Sequence, residues 1–173
     1  MAEIKALSQE AIPEALQMAE RYRLLNEPDE AESICLDILA ADPEHQEALI
    51  TLLLSLTDKF RDNRLIPAFD LAKEIVDRLG DAYCKSYYLG VIFERRAKYH
   101  LKQGGPGAGT VTHGWLIKAM NEYKNALTVC DPGNQKAVLR LNSCVRLLNN
   151  NPEIKPDSSD QREPLLDSFD TPH

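Results

Sequence analysis

Aromatic residues make up only 6% of this 173-residue chain, and runs of β-branched residues are scarce. Both deficits disfavour an extensive β-sheet, because these side chains pack best on a pleated surface. Long apolar runs are also missing: the longest, 48–56, is about half of the roughly 20 residues that a membrane-spanning helix needs. The N-terminus lacks the basic and apolar regions of a secretory signal. We therefore expect a cytoplasmic protein that does not enter a membrane.

Positive charge is in deficit too. The chain has 20 Lys and Arg against 27 Asp and Glu, a formal net charge of −7. Nucleic acid and anionic membrane surfaces repel such a protein, so neither is predicted as a partner. The exception is a basic cluster formed by Arg95, Arg96, Lys98 and Lys102. A phosphate or nucleic-acid footprint is one interpretation of this cluster, and a solvated helix end with favourably placed cations is the other.

Residue patterns of catalysis and metal binding are missing as well. The four cysteines are Cys35, Cys84, Cys130 and Cys144. None forms a C-x-x-C pair and all lie in apolar helical patterns, which predicts buried, reduced thiols. No two histidines have the i, i+4 spacing of ligands on one helix face. Serine hydroxyls have no evident histidine–acid partners. We expect no metal, no cofactor and no catalytic residue.

Helix-forming residues dominate the chain, with apolar side chains at helical spacing. The predicted helices are 9–25, 28–41, 43–61, 66–79, 82–103, 115–130 and 134–149. Pro28 follows a polar pair at a helix start, and Asp42 with Pro43 is typical of an N-cap and first helical residue. Gly80 is expected in the left-handed C-terminal position, with Asp81 capping the next helix. Four glycines and a proline predict that 104–110 is not helical.

Three segments of the chain are similar to one another. Tyr22 and Leu56 are 34 residues apart, and Leu56 and Phe93 are 37 apart. The third segment is clearest, with Leu89-Gly90-x-x-Phe93 followed by Ala119-x-x-x-Tyr123. This pattern resembles the tetratricopeptide repeat, a helix-turn-helix unit of about 34 residues. The resemblance covers 12–148 and is weakest in the second unit.

This resemblance implies an all-α fold, a right-handed superhelical stack of helix-turn-helix repeats. One helical pair cannot bury its apolar face alone, so the pairs must stack, and 134–149 would cap the exposed end. The predicted domain is 1–149, with a glycine-rich insertion at 104–114 within the third repeat. The remainder, 150–173, is predicted to be a flexible polar tail. Its one apolar cluster is 164–169.

In this family the first helix of each unit lines a concave groove that binds peptides. The matching positions predict a groove floor of Leu16, Glu20, Ile50, Leu54, Tyr87, Val91, Leu139 and Ser143. One helical turn further lie Arg23, Asp58, Arg95 and Arg146, whose three arginines would form a rim. Residues with which some members clamp the carboxylate of heat-shock chaperones are missing, so that partner is not expected. The alternative is that the floor residues only pack inside a short stack.

The function predicted from these patterns is a non-catalytic protein–protein interaction module. It would act as a scaffold, adaptor or chaperone-like protein, holding an apolar segment of another protein, or its own tail through Leu165, Leu166 and Phe169. The alternative is an enzyme or small-ligand-binding protein that uses the insertion, His113 and Trp115. Its glycines have phosphate-loop spacing, but no lysine follows and no strand precedes them. The oligomeric state stays open.

Overall fold

The computed structural model describes residues 2–61 and 64–157. This part of the chain contains a short 3-10 helix, Gln9–Ala11, and α-helices but no strand. The α-helices are α1 (Ile12–Leu24), α2 (Pro28–Ala41), α3 (Gln46–Asp58), α4 (Leu65–Arg78), α5 (Ala82–Gln103), α6 (Ala108–Thr128) and α7 (Lys136–Asn150). The predicted all-helical class is confirmed, and both ends of α2 and α5 are where the sequence predicted them.

The sixth helix begins much earlier than predicted. Residues 108–110 are helical, so the expected insertion at 104–114 is in fact a loop, 104–107, followed by the first two turns of α6. Gly104, Gly105 and Gly107 all have positive φ angles, which let this short loop reverse the chain. Gly109 lies inside the helix, where a single glycine costs only about 1 kcal/mol. The loop therefore joins two helices directly.

The third helix begins later than predicted. Asp42 and Pro43 do not start it: Asp42 follows the end of α2, and its carboxylate accepts a hydrogen bond from the Glu44 amide at 3.3 Å. The N-cap is His45, whose Nδ1 accepts from the Ala48 amide at 3.2 Å. The N-cap of α3 is therefore the imidazole of His45 and not the predicted carboxylate of Asp42. Asp42 lies in the turn that ends α2.

The turn between α4 and α5 contains one confirmed and one wrong prediction. Asp81 caps α5 as expected, accepting from the amides of Tyr83 at 3.3 Å and Cys84 at 3.1 Å. Hydrogen bonding within this cap lowers the pKa of Asp81. Gly80 is not left-handed, since it is not among the residues with positive φ. Its amide instead donates to Gln46 Oε1 at 2.8 Å.

Helices that follow one another in the chain pack together, and α1 also contacts α3, which in turn contacts α5. Buried apolar residues of α1–α4, together with Ile92 of α5, form one core cluster, and the other buried apolar residues of α5–α7 form a second. Side chains packed against both clusters include Leu54, Tyr88, Phe93 and Trp115. The apolar interior is therefore continuous from α1 to α7.

The tightest helix contact joins α5 to α6. A Cβ atom on Gly90 would lie 2.7 Å from Cε1 of Tyr123, a ring that is fully buried. The Tyr123 hydroxyl donates to Glu94 Oε2 at 2.6 Å, and Lys98 and Arg140 lie 2.5 and 3.5 Å from Glu94 Oε1. Burial and the neighbouring Glu94 carboxylate raise the pKa of Tyr123. This network joins α5, α6 and α7 around one buried carboxylate.

The sequence predicted a flexible tail over 150–173. The structure instead shows a contact with the body soon after α7 ends. Within 151–157, Ile154 packs back onto the body: it is 6% exposed and belongs to the second core cluster. A Cβ on Gly109 would overlap the Glu153 carbonyl oxygen and lie 3.0 Å from its carbon. We call this segment, 151–157, the strap. The apolar cluster at 164–169 lies outside the described residues.

All four cysteines are free. Cys35 and Cys144 are buried, whereas Cys84 and Cys130 are half-buried, so the predicted burial is confirmed for two of them and only partial for the others. Burial raises the pKa of Cys35 and Cys144 to about 12 and that of Cys84 to about 11. These three thiols are therefore almost fully protonated, and weakly nucleophilic, at neutral pH.

Replacing Gly90 with leucine is expected to lower the free energy of unfolding by about 1–3 kcal/mol or more, because the new side chain must push Tyr123 out of place. Gly114→Leu is the matched control, since a Cβ at that helical glycine has no neighbour within 4 Å. The control should be neutral or stabilising by up to about 1 kcal/mol. Urea denaturation measures both, and equal effects would show that Gly90 does not limit the approach of α5 and α6.

Replacing Gly109 with alanine is expected to detach the strap, because no Cβ fits beside the Glu153 carbonyl. Exposing Ile154 should cost about 1.5–3 kcal/mol, less the gain in helix propensity. Hydrogen exchange should rise at the amide of Ile154, which donates to the Asn151 carbonyl at 3.0 Å, whereas the exposed Gly114→Ala control leaves this amide protected. Unchanged exchange in Gly109→Ala would show that the strap tolerates a side chain at this position.

Candidate functional site

The predicted groove floor is only partly open. Leu16 is 9% exposed and Val91 is 1% exposed, so both belong to the core and cannot contact a peptide in this structure. Four others, Ile50, Leu54, Tyr87 and Ser143, are half-buried. Glu20 is exposed, as is Leu139, at 67%. An apolar trough therefore does not run continuously along these positions.

Two of the three predicted rim arginines come together on one carboxylate. Arg23 Nε donates to Asp58 Oδ2 at 2.9 Å, and Arg95 forms an ion pair with Asp58 Oδ1. Arg95 also donates to Thr57 Oγ1 at 2.7 Å. Arg146 is exposed and forms no ion pair within 2–61 and 64–157. Asp58 therefore links the C-terminal ends of α1 and α3 to the middle of α5.

A cleft of about 350 Å³ lies beside Asp58, between the end of α3 and the C-terminal half of α5. Four of its lining residues are cations: Arg61, Arg95, Lys98 and Lys102. Among the described residues, Asp58 is the one carboxylate in the lining, and the other lining residues are Thr57, Phe60, Tyr99 and Gln103. We call this the basic cleft. Residues 95, 98, 99 and 102 share one face of α5 because they are spaced at three or four residues.

The cations of the basic cleft are not equally engaged. Arg95 is paired with Asp58, and Lys98 with the buried Glu94. Arg61 and Lys102 are exposed, and no described carboxylate lies within ion-pair distance of either. Their positions after the C-terminus of α3 and near that of α5 suit the negative ends of both helix dipoles. An excess of positive charge therefore faces solvent here on a protein that is acidic overall.

Arg96 belongs to a different environment from its neighbour Arg95. Its guanidinium carbon lies 4.0 Å from the ring centroid of Phe69 and 4.2 Å from that of Trp115. Burial lowers the pKa of Arg96, and burial together with the Arg96 charge lowers that of His100 one turn later. The basic cluster in the sequence is thus divided: Arg96 holds α4, α5 and α6 together, whereas the others face the cleft.

The glycine-rich loop offers little that would support the alternative of an enzyme or small-ligand site. Trp115 lies between aromatic rings and Arg96, with its ring centroid 5.5 Å from those of both Phe69 and Phe93. His113 is half-buried. Across the part of the chain that the structure describes, no three His, Cys, Asp or Glu side chains are grouped as metal ligands. Cationic side chains are therefore concentrated at the basic cleft and not at this loop.

An apolar groove of about 270 Å³ lies elsewhere, between the N-terminal segment and the outer faces of α1 and α2. Its apolar lining residues are Leu7, Ala11, Ala15, Met18 and Ile34. None of the predicted floor residues belongs to it. Sequence reasoning missed this groove because Leu7 precedes the first helix, and nothing in the local pattern indicates that it folds back.

Comparison of the chain with models of known families, with curated proteins and with solved structures gives no match. In a separate test, none of the helices within 2–61 and 64–157 combines the length and apolar character needed to cross a membrane.

Replacing Asp58 with asparagine is expected to lower the free energy of unfolding by about 1–3 kcal/mol, because two half-buried arginines lose a charged acceptor. High salt should shrink the difference by screening the arginines. Asp77→Asn changes an exposed carboxylate on α4 that forms no ion pair with another described residue, and it should change stability by less than about 0.5 kcal/mol. If the two variants match in urea denaturation, Asp58 is not what holds α1, α3 and α5 together.

Proposed function

We propose that this chain is a non-catalytic protein–protein interaction module, built as a right-handed stack of three tetratricopeptide-like helical pairs closed by α7. Contacts at one repeat spacing support the stack. Arg23 and Asp58 are 35 residues apart, as are Asp29 and Arg64, whose side chains lie 2.8 Å apart. Gln46 and Gly80 are 34 residues apart. Each contact joins corresponding positions of successive pairs, as expected when the pairs stack in register.

The basic cleft is the proposed binding surface. The observation that carries the proposal is its two exposed cations, Arg61 and Lys102, which have no ion-pair partner among the described residues. Arg61 and Lys102 are available to carboxylates of a partner, and charge-assisted hydrogen bonds of this kind are stronger than neutral ones. The half-buried ring of Tyr99 lines the same cleft and offers a partner an amphipathic contact. We therefore propose that the module binds an acidic segment of another protein. An apolar segment suits it less well, because Leu16 and Val91 are closed inside the core.

Nucleic acid is the competing polyanion. The formal net charge of −7 opposes it, because a long phosphate backbone would extend past the cleft and meet acidic surface. A short acidic peptide segment covers only the cleft and avoids that repulsion. The proposed partner class is therefore protein.

A fluorescein-labelled peptide of eight glutamates is a direct probe, titrated into the full chain at low salt and followed by anisotropy. Binding is expected to weaken at least about tenfold in Arg61→Glu/Lys102→Glu, because two attractive charges become repulsive. Lys124→Glu/Lys136→Glu makes the same change in net charge on exposed residues outside the cleft. This control should retain most of the affinity, and circular dichroism checks that both variants fold.

Two outcomes would overturn the proposal. Equal weakening by the two double variants would mean that only overall charge matters, not the basic cleft. Tighter binding of an eight-nucleotide oligothymidylate than of the glutamate peptide would make nucleic acid the better partner class.

A further inference from the structure

The strap is anchored at the end of the α5–α6 pair that also carries part of the basic cleft. The strap places the Glu153 carbonyl against Gly109 in the first turn of α6, and Ile154 is anchored in the core. The loop 104–107 holds the start of α6 next to the end of α5, where Lys102 and Gln103 line the cleft. In the sequence, the strap is followed by sixteen residues, 158–173, which are therefore tethered to the body at this end.

The sequence of 158–173 has the chemistry that the basic cleft would select. It has one basic residue, Arg162, against four carboxylates. The four are Asp160, Glu163, Asp167 and Asp170. Leu165, Leu166 and Phe169 alternate with these acids in the sequence. Their apolar side chains are suited to contact the aromatic ring of Tyr99 in the cleft lining. The segment thus combines the charge and the apolar character of the partner proposed above.

Chain length favours an intramolecular encounter. The random-coil span of sixteen residues is roughly 20–24 Å. A tether of this length gives an effective concentration on the order of millimolar, so an intramolecular contact with a Kd of about 1 mM forms about half of the time. A partner that carries a stronger acidic segment would then have to displace it.

We infer that 158–173 binds the basic cleft of its own chain, its carboxylates facing Arg61 and Lys102, and competes there with an acidic partner segment. This inference rests on the proposed function, because both use the same cleft. The sequence predicted that the tail would bind the apolar groove floor. We place its binding site at the basic cleft instead, because Leu16 and Val91 of that floor are buried.

Amide NMR spectra of the full chain test this inference. Replacing the four acids of the segment by Asp160→Asn, Glu163→Gln, Asp167→Asn and Asp170→Asn is expected to shift the amides of 57–61 and 95–103. The matched control makes four neutral substitutions at exposed acids elsewhere: Glu3→Gln, Glu10→Gln, Glu47→Gln and Asp131→Asn. It should leave those amides in place. The shifts of the first variant should not depend on protein concentration, since the contact is within one chain.

Identical spectra of the wild type and the variant neutralised in 158–173 would overturn the inference, and concentration-dependent shifts would mean that the segment binds another copy. The glutamate peptide separates the two proposals. If it binds the cleft but neutralising 158–173 changes neither its affinity nor the spectrum, the proposed function stands and self-binding is wrong. If neutralisation moves the cleft amides but neither chain binds the peptide, self-binding stands and the proposed partner class is wrong.

Discussion

The contact between Gly90 and the ring of Tyr123 is the constraint on which the C-terminal half of the protein depends. Because Gly90 has no side chain, α5 and α6 approach closely enough for the Tyr123 hydroxyl to reach Glu94. A buried carboxylate without partners costs several kcal/mol, so Glu94 requires nearby cations. Lys98 and Arg140 supply them, and Arg140 brings α7 into the same network. One missing Cβ thus fixes the arrangement of three helices.

The charge of the basic cleft is what remains after the structural ion pairs are formed. Arg95 is engaged by Asp58 and Lys98 by Glu94, while Arg96 is stacked between Phe69 and Trp115. Arg95 and Arg96 are half-buried and link helices, whereas the exposed Lys98 is paired within α5. Arg61 and Lys102 are exposed, and no described carboxylate lies within ion-pair distance of either. The basic residues near the cleft therefore differ in how far intramolecular contacts already engage them.

The strap shows how a small residue can act at a distance in sequence. Gly109 lies in the first turn of α6, yet its importance comes from the carbonyl of Glu153, which approaches it after α7 has ended. Burial of Ile154 keeps that approach in place. The strap therefore contacts the end of the α5–α6 pair at which α6 begins.

Local chemistry determined the features that the sequence alone predicted. Helix-forming composition specifies the all-α class, Pro28 begins α2 and Asp81 caps α5, because each depends on residues within one turn. The sequence likewise predicted that Arg23, Asp58 and Arg95 lie one helical turn beyond the expected groove floor. Only the tertiary structure decided that the two arginines converge on Asp58, that Leu16 and Val91 are closed inside the core, and that α6 begins at Ala108. These outcomes depend on contacts between helices that are far apart in the sequence, and a local residue pattern does not specify such contacts.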